Sequence, residues 1–404
     1  MTSTRRSIIL LEQAGHSHNE ETLAAWTRFV NTQTLDRRSI RPHVARAWER
    51  SVQGGCDPKL MRADTLDTDE TQRLLSLQEP LIQCTRPFAN ALSRAAGRDR
   101  HAVMLGDYQG RVLDVTGDTE SVQGPESVPG PGSLLDEAFA GANGLGTPLA
   151  EGSYVELIGP EHFIEGFHIF TCQGIPLLDA EGAQTGVLGI SVRRIGAAVR
   201  LRDILFCAAQ AVECEMLSQS LSNAVTSMTG TSTGALIDKL RDNLIQRLAF
   251  ARTRFEMAAD AVALGGSAAE LLSESESLIR RFRRLADVWR DLVNEGIHAT
   301  TPVRVDDLVG SIIDLVRTEI RAADIGIYWG EDRATTAITD RHALARSILR
   351  GLLSAMQAAG PAGKIQIDIH PDEDSTMVLV VLSATTFDKS NTTSLRISGG
   401  KIKS

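Results

Sequence analysis

Between Ile237 and Leu292 apolar residues recur at steps of three and four over nearly sixty positions, and no other stretch restricts the fold so tightly. Ile237, Leu240, Leu244, Leu248, Ala251, Phe255 and Ala258 make the first run. After a break near Gly265-Gly266, the run Leu271, Leu278, Phe282, Leu285, Trp289 and Leu292 continues it, with Ser275 in the one missing step. Two amphipathic helices joined by a short glycine-containing turn form an αα-hairpin, assigned to residues 235–297. A lone hairpin hides its stripes incompletely, so the expectation is a homodimeric four-helix bundle. Its interface would be built from Leu240, Leu244, Leu248, Phe255, Leu278, Phe282, Leu285 and Trp289.

The hairpin divides the chain. Residues 1–36 are polar and carry little pattern. Residues 37–80 read as helical, with Val44, Trp48 and Val52 every fourth position and an exit at Gly54-Gly55-Cys56-Asp57-Pro58. Over residues 81–220 a helix from Leu81 to Ala95 leads into strands. Val103–Leu105 and Arg111–Val115 form one hairpin around Asp107-Tyr108-Gln109-Gly110, and Ile175–Leu178 and Val187–Val192 form another. Tyr154–Ile158 and Phe167–Cys172 read as further strands, and Gly124–Gly132 as a Pro/Gly-rich loop. Hairpins flanked by helices imply an α+β domain around an antiparallel sheet. A helix from Arg200 to Ser220 leaves it, and residues 221–234 are a Ser/Thr/Gly linker.

Beyond the hairpin, residues 301–385 read as a small α/β sandwich. A helix opens at Pro302 and Asp306 and runs through Ala322, and a strand covers Ile325–Tyr328. A second helix spans Asp340–Ala359, and Lys364–His370 with Met377–Leu382 make a hairpin. Residues 386–404 lack periodicity and are expected to be a disordered tail. The fold class is thus α+β and multidomain.

Charge excludes some roles. Lys plus Arg number 42 against 51 Asp plus Glu, a net charge of −9, which disfavours coating DNA or a membrane by bulk charge. No apolar run reaches the ~20 residues that span a bilayer, and Ile8–Leu11 is shorter than a signal-peptide core. Five cysteines without a CxxC pair fit reduced thiols in a cytoplasmic protein.

Several words then occur in order: Gly141-Ala-Asn-Gly-Leu-Gly-Thr147, Ala150-Glu-Gly152, Gly159-Pro-Glu-His-Phe163, Phe167-His168, Cys172 and Gly186-Val-Leu-Gly-Ile-Ser191. With Trp48-Glu-Arg-Ser51 and Gly55-Cys-Asp-Pro58, residues 40–215 resemble the GAF sensor region of acetoin-catabolism-type, sigma-54-dependent transcriptional activators. That resemblance implies a regulatory domain that binds a small molecule. Those activators continue into an ATPase and a DNA-binding helix pair, and this chain has no GxxxxGK[ST] loop. Instead, residues 234–383 resemble a sensor-histidine-kinase core, with Val303–Val309 and the Asp340 helix as the start of its ATP-binding domain.

The kinase chemistry is missing from the matching positions. Asp242 stands where the phosphoacceptor His belongs, and a carboxylate cannot form the phosphoramidate that an imidazole nitrogen forms. The helix that carries the Mg²⁺-binding Asn has Gly351 and Ala355 and no Asn. Ser383 replaces the adenine-binding Asp, and no glycine-rich lid follows. Phosphoryl transfer depends on that positioning and charge neutralisation, so a catalytically inactive module is expected.

Asn143, Glu161, His162, Phe163, Phe167, His168 and Cys172 are the candidate ligand-pocket residues, with packed core as the alternative for the aromatic ones. Glu161, His162, His168 and Cys172 are zinc-binding residue types without zinc-site spacing, so no metal or cofactor is expected, only a small effector. Cys172, Cys207 and Cys214 read as buried structural thiols rather than oxidant sensors. Arg280-Arg281-Phe-Arg283-Arg284 reads as a solvated face, with a protein-partner surface as the alternative. The expected function is a sensor whose effector controls a dimeric pseudo-kinase and, through it, a protein partner such as a response regulator or transcription activator. The alternatives are an active divergent kinase or phosphotransferase, and a regulator that binds DNA through Ile40–Gln53 and its arginines Arg37, Arg38, Arg41, Arg46 and Arg50. A single helix there lacks the partner helix that fixes orientation on the groove.

Overall fold

The computed structural model describes residues 19–35, 37–38, 40–179, 182–193, 195–226, 234–264, 266–293, 299–330, 336–371, 377–388 and 392–402. They fall into two compact units: residues up to Leu217 with Leu248–Ile279, and Ser218–Arg247 with Arg280 onward.

The first described element is α1 (residues 19–32), inside the segment 1–36 read as unpatterned, of which residues 1–18 lie outside the described residues. Thr22, Trp26 and Phe29 are buried at spacings of four and three, a stripe of only two turns that tertiary docking stabilises. Phe29 stacks on Trp48 of α2 (Pro42–Gln53) at 5.6 Å. α2 ends at Gly54, and Gly55 follows with φ of 79°. α3 (Thr68–Leu77), with its Asp67/Glu70 capping box, precedes α4 (Glu79–Ala96).

The central sheet has the order β2-β1-β5-β4-β3 and is antiparallel throughout. Its strands are β1 (His101–Asp107), β2 (Val112–Gly117), β3 (Val155–Ile158), β4 (Thr171–Leu178) and β5 (Gln184–Val192). Both expected hairpins are present. Phe167–Cys172 and Ile175–Leu178 do not form two strands, however. Phe167 closes a 3₁₀ turn, Glu165–Phe167, and Thr171 through Leu178 is one continuous strand against β5. Short helices α5 (Thr119–Gln123), α6 (Glu137–Ala140) and α7 (Gly146–Glu151) lie in the connection between β2 and β3.

α8 runs from Ile195 to Thr226, longer at both ends than the sequence pattern suggested. The hairpin forms as α9 (Gly234–Ala263) and α10 (Ala269–Val293). Leu248 and Phe255, expected at the interface, are buried within the chain itself. Phe255 packs on Phe88 of α4 at 5.8 Å, and Arg94 pairs with Asp260 at 3.2 Å. Ser275, the polar interruption in the stripe, is fully buried between helices. Its hydroxyl donates to the Ala251 carbonyl at 3.2 Å and accepts from Cys207 of α8 at 3.4 Å, so its polar atom is satisfied. On α10 the buried positions among the described side chains are Leu272, Ser275, Ile279, Phe282, Leu285, Ala286, Val288 and Asp291, while Leu278 is only half-buried. The side chains of Leu240, Asp242, Leu244 and Trp289 lie outside the described residues.

The second unit is built on a six-stranded sheet of order β6-β8-β11-β10-β9-β7. Its strands are β6 (Thr301–Arg304), β7 (Gly326–Trp329), β8 (Thr336–Thr339), β9 (Lys364–Pro371), β10 (Met377–Thr385) and β11 (Thr392–Ile402). Only the β7–β9 pairing is parallel. Thr301–Arg304 is a strand rather than the start of a helix, and the helix read through Ala322 divides into α11 (Val305–Leu315) and α12 (Arg317–Ala322). α13 (Arg341–Ala359) starts at Asp340, whose carboxylate accepts from the His342 and Ala343 amides. Residues 392–401, expected in a disordered tail, pair antiparallel with β10 from Thr385↔Thr392 to Met377↔Lys401, with one bulge where the register shifts between Val378 and Leu379. Polar composition hid this strand, because a sheet can order Ser and Thr through backbone pairing alone.

Among the described residues, no helix is long and apolar enough to cross a membrane.

Candidate functional site

The first unit holds a small cavity between the sheet and the segment from Gly159 to Phe170. Two tryptophans hold that segment. Trp48 Nε1 donates to the Glu161 carbonyl and Trp26 Nε1 to the Phe163 carbonyl, both at 2.8 Å. The sheet contributes Met104, Cys172 and Ser191. Cys172 and Ser191 are direct cross-strand partners, so their side chains share a face, and Sγ and Oγ are 3.1 Å apart. Burial pushes the Cys172 thiol up to about 12, so it stays protonated.

The Gly141–Thr147 word builds the floor. Asn143 lines the cavity, but all four of its amide hydrogen-bond positions are taken within the loop. Nδ2 donates to the Leu135 and Gly141 carbonyls, each at 2.7 Å, and Oδ1 accepts from the Leu145 and Gly146 amides at 2.9 and 2.8 Å. Gly144 must lack a side chain, because a Cβ there would lie 2.5 Å from Cys172 Cβ. The Asn143 side chain thus shapes the cavity and offers a ligand no free polar atom.

His162 differs. It is completely buried, lines the cavity, and points Nδ1 at the Gly159 carbonyl 2.9 Å away. A carbonyl only accepts, so Nδ1 carries the proton. Nε2 is then left as a buried lone pair with no protein partner among the described residues. Desolvation holds the imidazole down to about 4, so it is neutral near pH 7. Phe167 and Phe170 complete the wall with Val128 and Pro129. These four residues also line an open cleft of about 460 Å³ toward Met61 and Glu165. Arg193, at the end of β5 and just before α8, lies 4.3 Å from the Phe170 ring centre. It also donates to the Glu126 carbonyl at 2.6 Å, tying the loop to the strand.

Of the seven candidate pocket residues, Asn143, His162, Phe167 and Cys172 line the cavity. Glu161 does not: it is buried against Arg41 and accepts from the Ile158 amide at 2.8 Å. Phe163 is core, packed beneath Gly141. His168 stands edge-on to Trp26 at 4.8 Å and hydrogen-bonds the backbone of His162. Ser191, Phe170 and Arg193 were not singled out from the sequence. The pairing of β4 with β5 and the 3₁₀ turn bring them to the site.

Four of the five arginines of α2 and its approach pair with carboxylates. Arg41 pairs with Glu161 and Glu156, Arg46 with Glu151, and Arg50 with Glu137 and Glu151. The Arg46 hydrogen bond leads in holding the Glu151 carboxyl below its usual range. Arg37 pairs with Glu49. Of the arginines that the DNA-binding alternative requires, Arg41 and Arg50 turn partly into their own domain, while Arg37, Arg38 and Arg46 are exposed.

In the second unit, Gly351 and Ala355 are buried on α13. Ser383 Oγ lies 3.0 Å from Ser394 Oγ on β11, in a cross-strand pair.

An antiparallel sheet flanked by helices, followed by a helical hairpin and a second α/β unit, is the architecture that the two resemblances imply. No known family profile matches the chain. Its N-terminal region resembles the sensor regions of transcriptional activators. It is 26% identical over 200 residues to the acetoin dehydrogenase operon transcriptional activator of Bacillus subtilis, covering 49% of this chain. The chain spans 33% of that relative's length. Among solved structures, the E. coli DhaR(N)–DhaL complex aligns at 16% identity with a TM-score of 0.43, over 50% of this chain and 68% of that one. A histidine kinase, ThkA, in complex with response regulator TrrA, aligns at 13% identity with a TM-score of 0.21, over 72% and 80% of the two chains.

Proposed function

We propose that this chain is a regulatory protein that binds a small molecule in the cavity beside His162 and signals without catalysis. The carrying observation is the cavity itself. It is mostly apolar, and side chains rather than the sheet wall it toward the open cleft. Occupancy would press on Phe170, and Arg193 joins Phe170 and the Gly124–Gly132 loop to the root of α8. α8 then leads along the chain to α9 and α10, a set of helices suited to a two-state shift in packing. A role in transcription regulation, exerted through a protein partner, fits the likeness to transcriptional activators.

The C-terminal unit is read as a pseudo-kinase. This is supported by Asp242 in place of the phosphoacceptor His, and by Gly351, Ala355 and Ser383 in place of the nucleotide-binding residues. The experiment is a thermal-shift titration of the full chain with small metabolites, repeated on Cys172→Met, which fills the cavity. Stabilisation that Cys172→Met abolishes supports the reading, and a metabolite panel that moves neither protein contradicts it. Acid-labile label on the chain after incubation with labelled ATP and Mg²⁺ would overturn the pseudo-kinase assignment.

A further inference from the structure

A hydroxyl inside a helix commonly finds its acceptor in the same helix, at the carbonyl four residues back. Ser51, Thr85, Ser311 and Ser347 all do so, at 2.7 to 2.9 Å. Ser93, in the last turn of α4, is bonded to a side chain instead. Its Oγ lies 2.7 Å from Nε2 of His101, the first residue of β1.

The direction of that bond follows from the rest of the ring. Nδ1 lies 2.7 Å from the Asp99 carbonyl, which only accepts, so the neutral ring carries its proton on Nδ1 and leaves Nε2 as an acceptor. The Ser93 O–H therefore donates to a lone pair. A carboxylate oxygen of Asp118 sits 3.9 Å from Nδ1 and accepts from the His101 amide at 2.6 Å. It is placed to stabilise the imidazolium that forms when Nε2 takes up a proton. Nearby charges are paired, Arg200 with Asp99 and Arg100 with Glu120.

Strand alternation sets this group apart from the cavity. Met104 of β1 lines the cavity, so His101, three residues earlier, faces the opposite side of the sheet, toward α4. The imidazole is 4% exposed while Ser93 is only half-buried, which leaves the serine as the accessible member of the pair.

Nucleophile, base and orienting group thus stand in the order that activates a serine. We propose that Ser93 is an acylation site that takes a short acyl group from a thioester. Ser93 Oγ attacks the carbonyl carbon and gives its proton to Nε2. The C–S bond then breaks and the departing thiolate takes that proton from Nε2, leaving an O-acyl serine and a free thiol. A thiol departs readily, so a thioester needs less stabilisation of its oxyanion than an amide does. The position between α4 and β1 limits the group to a short one. This assignment is independent of the effector cavity and of the pseudo-kinase reading.

The test incubates the full chain with phenyl thioacetate, in native buffer and in urea, and maps acetylated residues by mass spectrometry. The expected result is acetylation of Ser93 in native protein, with no label at that position in Ser93→Ala. In urea the pairing dissolves, so Ser93 should react about a hundredfold more slowly, the contribution of one positioned base. His101→Gln can still accept from the serine but is no base, and should slow native acetylation to a similar degree. If His101→Gln does not fold, the ratio of native to urea rates on wild type decides. A purely structural hydroxyl gives the opposite pattern, unreactive while folded. Acetylation confined to lysines, or a Ser93 rate no faster in native protein than in urea, would overturn the assignment.

Discussion

The neutrality of His162 makes stability depend on pH in a calculable way. In the unfolded chain the imidazole takes up its proton near 6.5, and in the folded chain only near 4, because burial penalises the charged ring. Between those values the unfolded state binds more protons, so stability is intact above pH 6.5 and falls as the pH drops toward 4. The difference of two and a half pH units corresponds to about 3 kcal/mol lost by pH 4 from this one ring. For a unit of this size that is a fall of roughly 10 °C in melting temperature. Carboxylates such as Glu151, held down by Arg46, add losses of the same sign at the acid end of the window. The informative quantity is therefore a difference between proteins. Denaturant melts of wild type and His162→Asn at half-unit steps from pH 7.5 to 4, read through tryptophan fluorescence, isolate the imidazole contribution. The wild type should lose about 3 kcal/mol more than the variant over that range. Parallel curves would mean that the ring is not held neutral by burial, and the acceptor assigned to Nε2 would fall with it.

Four further outcomes follow from the packing. Phe255→Ala should destabilise the first unit by about 3–5 kcal/mol, and a double-mutant cycle with Phe88→Ala should show coupling between the pair, measured by urea melts. Arg41→Ala leaves Glu161 buried without its partner and should cost about 3–5 kcal/mol at pH 7, whereas Arg37→Ala, at a largely exposed pair, should change stability by less than about 1 kcal/mol. The Cys172 thiol, pushed up to about 12, and Cys207, at about 11, should resist iodoacetamide at pH 8 in native protein and react in urea, as counted by mass spectrometry. Ile397→Asp places a charge on a buried position of β11 and should unfold the second unit, seen as loss of its amide-exchange protection, while Thr393→Asp at an exposed position should not.

Much of the secondary structure was legible in the sequence because its signals are local. The steps of three and four through Leu248, Phe255, Phe282 and Leu285 announce helices, and the turns at Asp107–Gly110 and Asp179–Gly182 announce hairpins. What that periodicity buries against is not local. The stripe at Leu248 and Phe255 suggested a second copy, yet both side chains are already buried within the chain, Phe255 against Phe88 of α4. α1 escaped notice because two turns of amphipathic helix look like noise until Trp26 and Phe29 meet Phe163 and Trp48. β11 escaped because its Ser and Thr residues carry no stripe and gain order from β10.

The candidate site divides in the same way. The residue types at Asn143, His162, Phe167 and Cys172, and the glycine word around Gly144, are written in the chain and suffice to suggest a pocket. Which of them present a free atom is decided only in three dimensions. Asn143 is saturated by its own loop, and Glu161 is claimed by an arginine 120 residues away. His162 keeps one lone pair because the carbonyl that fixes its proton lies on the other side of the ring. Sequence determines which groups exist and how adjacent ones turn. Hydrogen-bond vacancy depends on every neighbour at once, and only the tertiary structure brings those neighbours together.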